Sequence, residues 1–115
     1  MDKIDSEMYQ LKADLCKSFA DPKRLIIIDE LRSGEKTVTE LVKNTGIPQA
    51  VLSRQLGILR ARGIVKPRRN GNNMFYSITD TRICKACDIV HQVLLNNFAK
   101  NGEIARNLLN KNTRI

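Results

Sequence analysis

Residues 37–62 read TVTELVKNTGIPQAVLSRQLGILRAR, and the punctuation inside this stretch decides the fold. Thr37-Val38-Thr39-Glu40 fits a capping box, in which the Thr37 hydroxyl and the Glu40 carboxylate satisfy each other's backbone donors at a helix start. The short helix that follows holds Leu41 and Val42 and is expected to end near residues 44–46, where glycine accepts left-handed backbone. Ile47-Pro48 then makes a turn. A second helix is predicted from about Gln49 to Arg62, burying Leu52, Leu56 and Leu59 at i, i+4 and i+7, with Gly63 as its stop.

Two short helices joined at Gly46-Ile47-Pro48, the second rich in basic and amide side chains, make a helix-turn-helix. In such motifs the second helix enters the major groove of DNA with its N-terminal residues at the base edges. Outward positions near this start are Gln49, Ala50, Ser53 and Arg54, with Gln55 and Gly57 further along. Gln pairs bidentately with adenine and Arg with guanine, each good pair giving about 1–3 kcal/mol of discrimination. Gln49, Ser53, Arg54 and Gln55 are therefore the candidate base readers. Arg60 and Arg62, at the far end, face either the DNA backbone or solvent.

Beyond Gly63, two β-prone runs, Ile64-Val65-Lys66 and Met74-Phe75-Tyr76-Ser77-Ile78, flank a tip at Asn70-Gly71, whose residue types suit a tight hairpin turn. Arg68 and Arg69 stand just before the tip, placed to lie along phosphates or to dip into the minor groove. The charge pattern points the same way. The net charge is +8, and no acidic residue falls between Glu40 and Asp80, while Lys43, Arg54, Arg60, Arg62, Lys66, Arg68 and Arg69 all do. A basic segment in an otherwise balanced chain reads as a phosphate-facing surface, against the blander alternative of a solvated face.

On the other side of the motif, Ile4, Met8, Leu11, Leu15 and Phe19 form one apolar helical stripe. Asp21-Pro22 looks like an N-cap followed by a proline in the first turn. The helix it opens, with Leu25, Ile26, Ile28 and Leu31, is apolar nearly all round and is expected in the middle of the fold, stopping at Gly34. A long last helix is predicted from residues 79–81, with Ile83, Val90 and Leu94 on one face and Ile89 and Val93 beside it. The expected architecture is mainly α with a small β-hairpin: four helices, the hairpin and a fifth helix within residues 1–98. Residues 99–115 form an extension, either a short helix with Ile104, Leu108 and Leu109 or a frayed end. The first and last helices carry more apolar surface than so small a core absorbs, so burial against a second copy is the natural outlet. Met8, Leu11, Leu15, Ile83, Cys87, Val90 and Leu94 are the expected contact residues.

Composition bounds the alternatives. At 115 residues the chain is expected to form one domain, and 42% hydrophobic with only 4% aromatic content implies a core of Leu, Ile and Val. No apolar run approaches the roughly 20 residues that span a bilayer, and Asp2, Asp5 and Glu7 precede any apolar run, unlike a secretory signal; the expected compartment is the cytoplasm. Three cysteines, an odd number, argue against a disulfide framework. An enzyme is disfavoured. Cys84-x-x-Cys87 lacks the strand-to-helix context of a redox motif, and there is neither a glycine-rich phosphate loop nor a nucleophile–base pair.

Phe19-Ala20-Asp21-Pro22-Lys23-Arg24-Leu25, then Leu52-Ser53-Arg54-Gln55-Leu56 with Leu59-Arg60 and Gly63-Ile64-Val65, and finally Phe75-Tyr76-Ser77-Ile78, resemble the ArsR/SmtB repressors over about residues 8–95. The resemblance implies a winged-helix homodimer joined through its first and last helices. It would bind double-stranded DNA of imperfect two-fold symmetry and be released by an inducer.

Departures from the family pattern bear on that inducer. Thr37 and Thr39 stand where one family site has Cys-x-Cys. Asp80-Thr81-Arg82, Val93 and Asn96 stand where another has Asp-x-His and two further ligands. What remains is Cys84-x-x-Cys87-Asp88-x-x-His91 on one stripe of the last helix. Seven residues span about 10 Å of helix axis, so Cys84 and His91 do not reach one ion, and Cys84 with Cys87 is the feasible local pair. A thiophilic ion such as arsenite, Cd²⁺ or Zn²⁺ would need a third ligand, from Cys16 or from a partner subunit. A redox switch and plain buried packing remain the other readings of these thiols. Pro48 also replaces the family's Ser or Thr cap, and Gly57 sits mid-helix at a cost of about 1 kcal/mol relative to Ala.

Overall fold

A computed structural model, which describes residues 3–100, 102, 106, 107 and 110, places helix boundaries where the capping residues stand. The order is α1 (Lys3–Lys17), α2 (Pro22–Leu31), β1 (Lys36–Thr37), α3 (Val38–Thr45), α4 (Gln49–Ala61), β2 (Val65–Asn70), β3 (Asn73–Ile78) and α5 (Arg82–Lys100). Two compact units result, one up to Thr81 and one from Arg82.

Asp21 caps α2, accepting the Lys23 N–H at 2.8 Å, with Pro22 in the first turn. The capping box of α3 is present in both directions: Thr37 Oγ1 accepts the Glu40 N–H at 3.1 Å, and the Glu40 carboxylate accepts the Thr37 N–H at 3.1 Å. Gly46 ends α3 at φ 74°. The Thr45 hydroxyl donates to the Leu41 carbonyl at 2.6 Å and accepts the Ile47 N–H at 3.2 Å, which fixes the turn into α4. At the start of α4, Pro48 offers no side-chain cap, although its carbonyl takes the Leu52 N–H at 2.9 Å. The far end closes on Gly63 at φ 75°. Ile64 N–H donates to Leu59 O at 2.9 Å and Gly63 N–H to Arg60 O at 3.0 Å, the two bonds of a Schellman motif.

The core of the first unit is aliphatic: Ile27, Ile28 and Leu31 of α2, Leu41 of α3, Leu52, Leu56 and Leu59 of α4, with Ile47, Ile64 and Val65 beside them. Helix α2 is less enclosed than its composition suggests, because Leu25 stays exposed and Ile26 is half-buried.

The sheet has three strands in the order β1-β3-β2, where only the hairpin was expected. The two residues of β1 pair antiparallel with β3, Lys36 opposite Tyr76 and Thr37 opposite Phe75. Strand β2 runs through Pro67 as far as Asn70, longer than its apolar part. Proline is tolerated there because β2 is an edge strand with a neighbour on one side only. The hairpin tip lies one residue later than its composition implied: Asn70 pairs with Asn73, leaving Gly71-Asn72 as the turn. Gly71 has φ 63° and no described non-glycine residue has positive φ, the pattern of a type II′ turn with glycine at the first central position.

In the first unit, every described side chain from residue 5 to 13 of α1 is exposed, including Met8, Tyr9 and Leu11. In the second, α5 exposes Ile89, Val90, Val93 and Leu94. Ile104, Leu108 and Leu109, expected in a terminal helix, lie outside the described residues. Among the described residues no helix is long and apolar enough to cross a membrane.

Candidate nucleic-acid interface

The burial pattern divides α4 lengthwise. Leu52, Gln55, Leu56 and Leu59 face inward, whereas Gln49, Ala50, Ser53, Arg54, Gly57, Arg60 and Ala61 are exposed. Because the apolar positions recur at helical spacing, the exposed ones fall on a single opposite strip. This strip belongs to the second helix of the helix-turn-helix, which the Thr45–Gly46 turn sets against α3. Among the described residues, Arg54, Arg60 and Arg69 form no hydrogen bond or ion pair, so their donors face solvent.

Gln55 corrects the sequence reading. It was expected on the outward strip, but it is only 4% exposed and both ends of its amide are used inside the unit. Gln55 Oε1 accepts from Arg24 at 3.0 Å, and Gln55 Nε2 donates to Asp21 Oδ2 at 3.1 Å. It lies three residues after Leu52 and four before Leu59, on the buried stripe, so no base edge can reach its amide. Arg62, expected at the backbone or in solvent, turns instead toward α1. Its guanidinium donates to the Asp14 carbonyl and, at 3.3 Å, to Ser18 Oγ.

The hairpin presents its two arginines differently. Arg69 is exposed and unengaged. Arg68 is exposed but doubly held: it donates to Glu35 through Nε at 3.0 Å and Nη2 at 2.6 Å, and its guanidinium lies 5.0 Å from the centre of the Phe75 ring. Phe75 is its cross-strand partner, and Glu35 leads into β1, so the pairing follows from the register of the three strands. The Arg68 guanidinium hydrogen-bonded to Glu35 holds that carboxyl below the usual glutamate range, and the same contact raises the Arg68 pKa.

The three cysteines divide between the units, Cys16 in the first and Cys84 and Cys87 in the second. No disulfide joins them: Cys16 is exposed on α1, Cys84 is buried and Cys87 half-buried on α5. Among the described residues no three His, Cys, Asp or Glu side chains are grouped to hold a metal ion.

Comparison with known proteins agrees with this geometry. The model of the arsR family of bacterial regulatory proteins matches residues 21–66, from the cap of α2 into β2. The chain is 39% identical over 93 residues to the uncharacterized HTH-type transcriptional regulator Rv0081 of Mycobacterium tuberculosis, covering 79% of this chain and 82% of that protein. It is 38% identical over 81 residues to the biofilm growth-associated repressor of Xylella fastidiosa, covering 70% and 71%. The crystal structure of Rv0081 superposes with a TM-score of 0.75 over 82% of this chain and 95% of that one, at 36% identity. The solution structure of a homodimeric winged helix-turn-helix DNA-binding domain from Mycobacterium bovis, described as a possible ArsR-family regulator, gives a TM-score of 0.75 at 25% identity, covering 90% and 94%. The helix-turn-helix with its hairpin wing, matched in sequence and in shape, makes this chain a member of the ArsR family and a DNA-binding transcriptional regulator.

Proposed function

We propose that the protein is a homodimeric repressor of the cytoplasm. It would bind double-stranded DNA of imperfect two-fold symmetry, reading base edges with Gln49, Ser53 and Arg54 and holding phosphates with Arg68 and Arg69. The observation that carries this reading is the exposed strip of α4, on which Arg54 has no partner within the described protein while the opposite strip is fully enclosed. An arginine with five unoccupied donors on a recognition helix is suited to a guanine edge.

Dimerisation is supported by apolar exposure that no monomer needs. Met8, Leu11 and Leu15 of α1 are 50%, 62% and 40% exposed, and Val90 and Leu94 of α5 are 60% and 46% exposed. Ile83 and Cys87, also on α5, are half-buried and border that face. Two copies joined there would offer two recognition helices to successive major grooves about one helical turn apart. The homodimeric Mycobacterium bovis relative is consistent with this assembly.

The experiment is selection of duplexes from a random pool, followed by measurement of base preference for wild type and Arg54→Ala. Relaxed discrimination at one position of each half-site, by about 1–3 kcal/mol, is expected. Unchanged base preference in Arg54→Ala would remove Arg54 from the reading.

Release by an inducer is proposed to run through Cys84 and Cys87, which share one stripe of α5, with any third ligand supplied by the partner subunit. Duplex release is to be measured against arsenite, Cd²⁺, Zn²⁺ and mild oxidant. Cys84→Ser and Cys87→Ser are expected to lose a response that Cys16→Ser keeps. Wild-type responses in both Cys84→Ser and Cys87→Ser would discard the thiol sensor.

A further inference from the structure

The end of α1 is fastened to the recognition helix by side-chain hydrogen bonds, directly through Arg62 and indirectly through Arg24 and Gln55. The last carbonyls of a helix have no partner within it. Here the Asp14 carbonyl accepts from the Arg62 guanidinium and from Ser18 Oγ at 3.4 Å. The Lys17 carbonyl accepts from Arg24 Nη2 at 3.0 Å, and the Ser18 carbonyl from Arg24 Nε at 2.9 Å. Ser18 is fully buried at this junction. Two cationic side chains thus sit at the negative end of the α1 dipole, where positive charge is favoured. Both arginines lead to α4. Arg62 is its C-cap residue, and Arg24 donates to Gln55, whose own amide returns to the cap residue Asp21.

Ahead of this junction α1 is an arm. Its side chains from residue 5 to 13 are exposed wherever described, so within the first unit its hold lies at the Asp14–Ser18 end. We propose that Gln55 and Arg62 are positioning residues that lock the recognition helix to this arm. In the homodimer, where the arm packs on the partner subunit, the lock sets the distance and angle between the two recognition helices. Operator spacing would then be read by residues that touch no base. The inference rests on the homodimeric DNA-binding reading above and adds to it the origin of half-site spacing.

The test uses the full chain and a duplex that the wild-type protein selects from a random pool. Versions of that duplex carry one base pair inserted or deleted at the centre, which turns one half-site by about a tenth of a helical turn. Wild type is expected to prefer the selected spacing by about tenfold, comparable to the loss of one base contact. Arg62→Met and Gln55→Met are expected to narrow that preference to about threefold while remaining dimeric, with unchanged base preference within each half-site. Arg62→Lys, which keeps a donor for the Asp14 carbonyl, is expected to recover most of it. Arg62 is exposed, so its variants keep the test open if Gln55→Met, at a buried site, folds poorly. Full spacing discrimination in Arg62→Met, or an equal loss of affinity at every spacing, would overturn the proposal and leave the DNA-binding reading standing. Failure of the wild type to select any duplex would overturn both.

Discussion

Glu35 grips Arg68 through both carboxylate oxygens, at 3.0 and 2.6 Å, and so occupies the wing arginine with an anion that presents two oxygens to the guanidinium, as a phosphate would. In the proposed complex Arg68 must exchange this carboxylate for DNA. Glu35→Gln is therefore expected to tighten duplex binding a few-fold and to steepen its salt dependence, because Arg68 is released. The gain is expected to vanish when Arg68→Gln is added, a double-mutant cycle that separates the pair from a general loss of negative charge. Weaker binding by Glu35→Gln would instead make the pair a strut that the wing needs.

The same pair sets a pH dependence. Glu35 has a folded pKa below its unfolded value, so its contribution to stability is fully present above the ordinary glutamate range. That contribution is lost as pH falls through the lowered folded value. Comparison of wild type with Glu35→Gln by thermal melting is expected to show curves that are offset but parallel from neutral pH down to the ordinary glutamate range and that converge only in stronger acid. Both groups are solvent-exposed, so the offset is small. Convergence already near pH 6 would contradict the assignment.

Gly57 lies on the exposed strip of α4, and a Cβ added there meets no atom within 4 Å. In the free protein Gly57→Ala is expected to stabilise by about 0.5–1 kcal/mol, since it relieves the helix of glycine's backbone entropy. Melting temperature then rises by a few degrees. If the gain in stability comes with weaker duplex binding, the backbone approaches DNA closely at Gly57. Destabilisation would contradict the open space around it.

Helix α3 is only 8 residues long and depends on its caps. Thr37→Ala removes the hydroxyl that accepts the Glu40 N–H, at an expected cost of about 1 kcal/mol. For a domain of this size that lowers the melting temperature by roughly 4 °C or more. An unchanged melting temperature would show that the capping box contributes nothing.

Leu11→Asp and Val90→Asp place a charge on the two exposed apolar faces, at positions 62% and 60% exposed in one chain. Each is expected to leave the protomer folded, judged by circular dichroism, and to yield monomers in analytical ultracentrifugation. Duplex affinity then falls at least about tenfold, because two linked half-sites become one. A variant that stays dimeric removes its helix from the proposed interface.

Features encoded locally were legible in the sequence. Asp21, Thr37 with Glu40, Gly46 and Gly63 each fix a helix end through bonds to residues one turn away, and all stand where sequence placed them. Features set by distant partners were not. The two residues of β1 are a strand only because the edge of β3 is there to pair with, and Pro67 stays in β2 only because the outer edge of β2 is unpaired. Gln55 shows the limit at the candidate site. Its amide suggested a base reader, but its spacing from Leu52 and Leu59 already put it on the buried stripe. The partners that satisfy it, Asp21 and Arg24, lie more than thirty residues away. The engagement of Arg68 by Glu35 is equally non-local, across 33 residues.

The most direct test of the central claim, that the α4 strip and the wing together face DNA, is the dependence of duplex affinity on salt for wild type and Arg69→Gln. Each phosphate contact contributes about 0.9 to the slope of log affinity against log salt. A dimer that loses Arg69 twice is expected to bind more weakly with a slope shallower by about 1.8. Duplex binding indifferent to salt, or a slope unaltered by Arg69→Gln, would contradict the account.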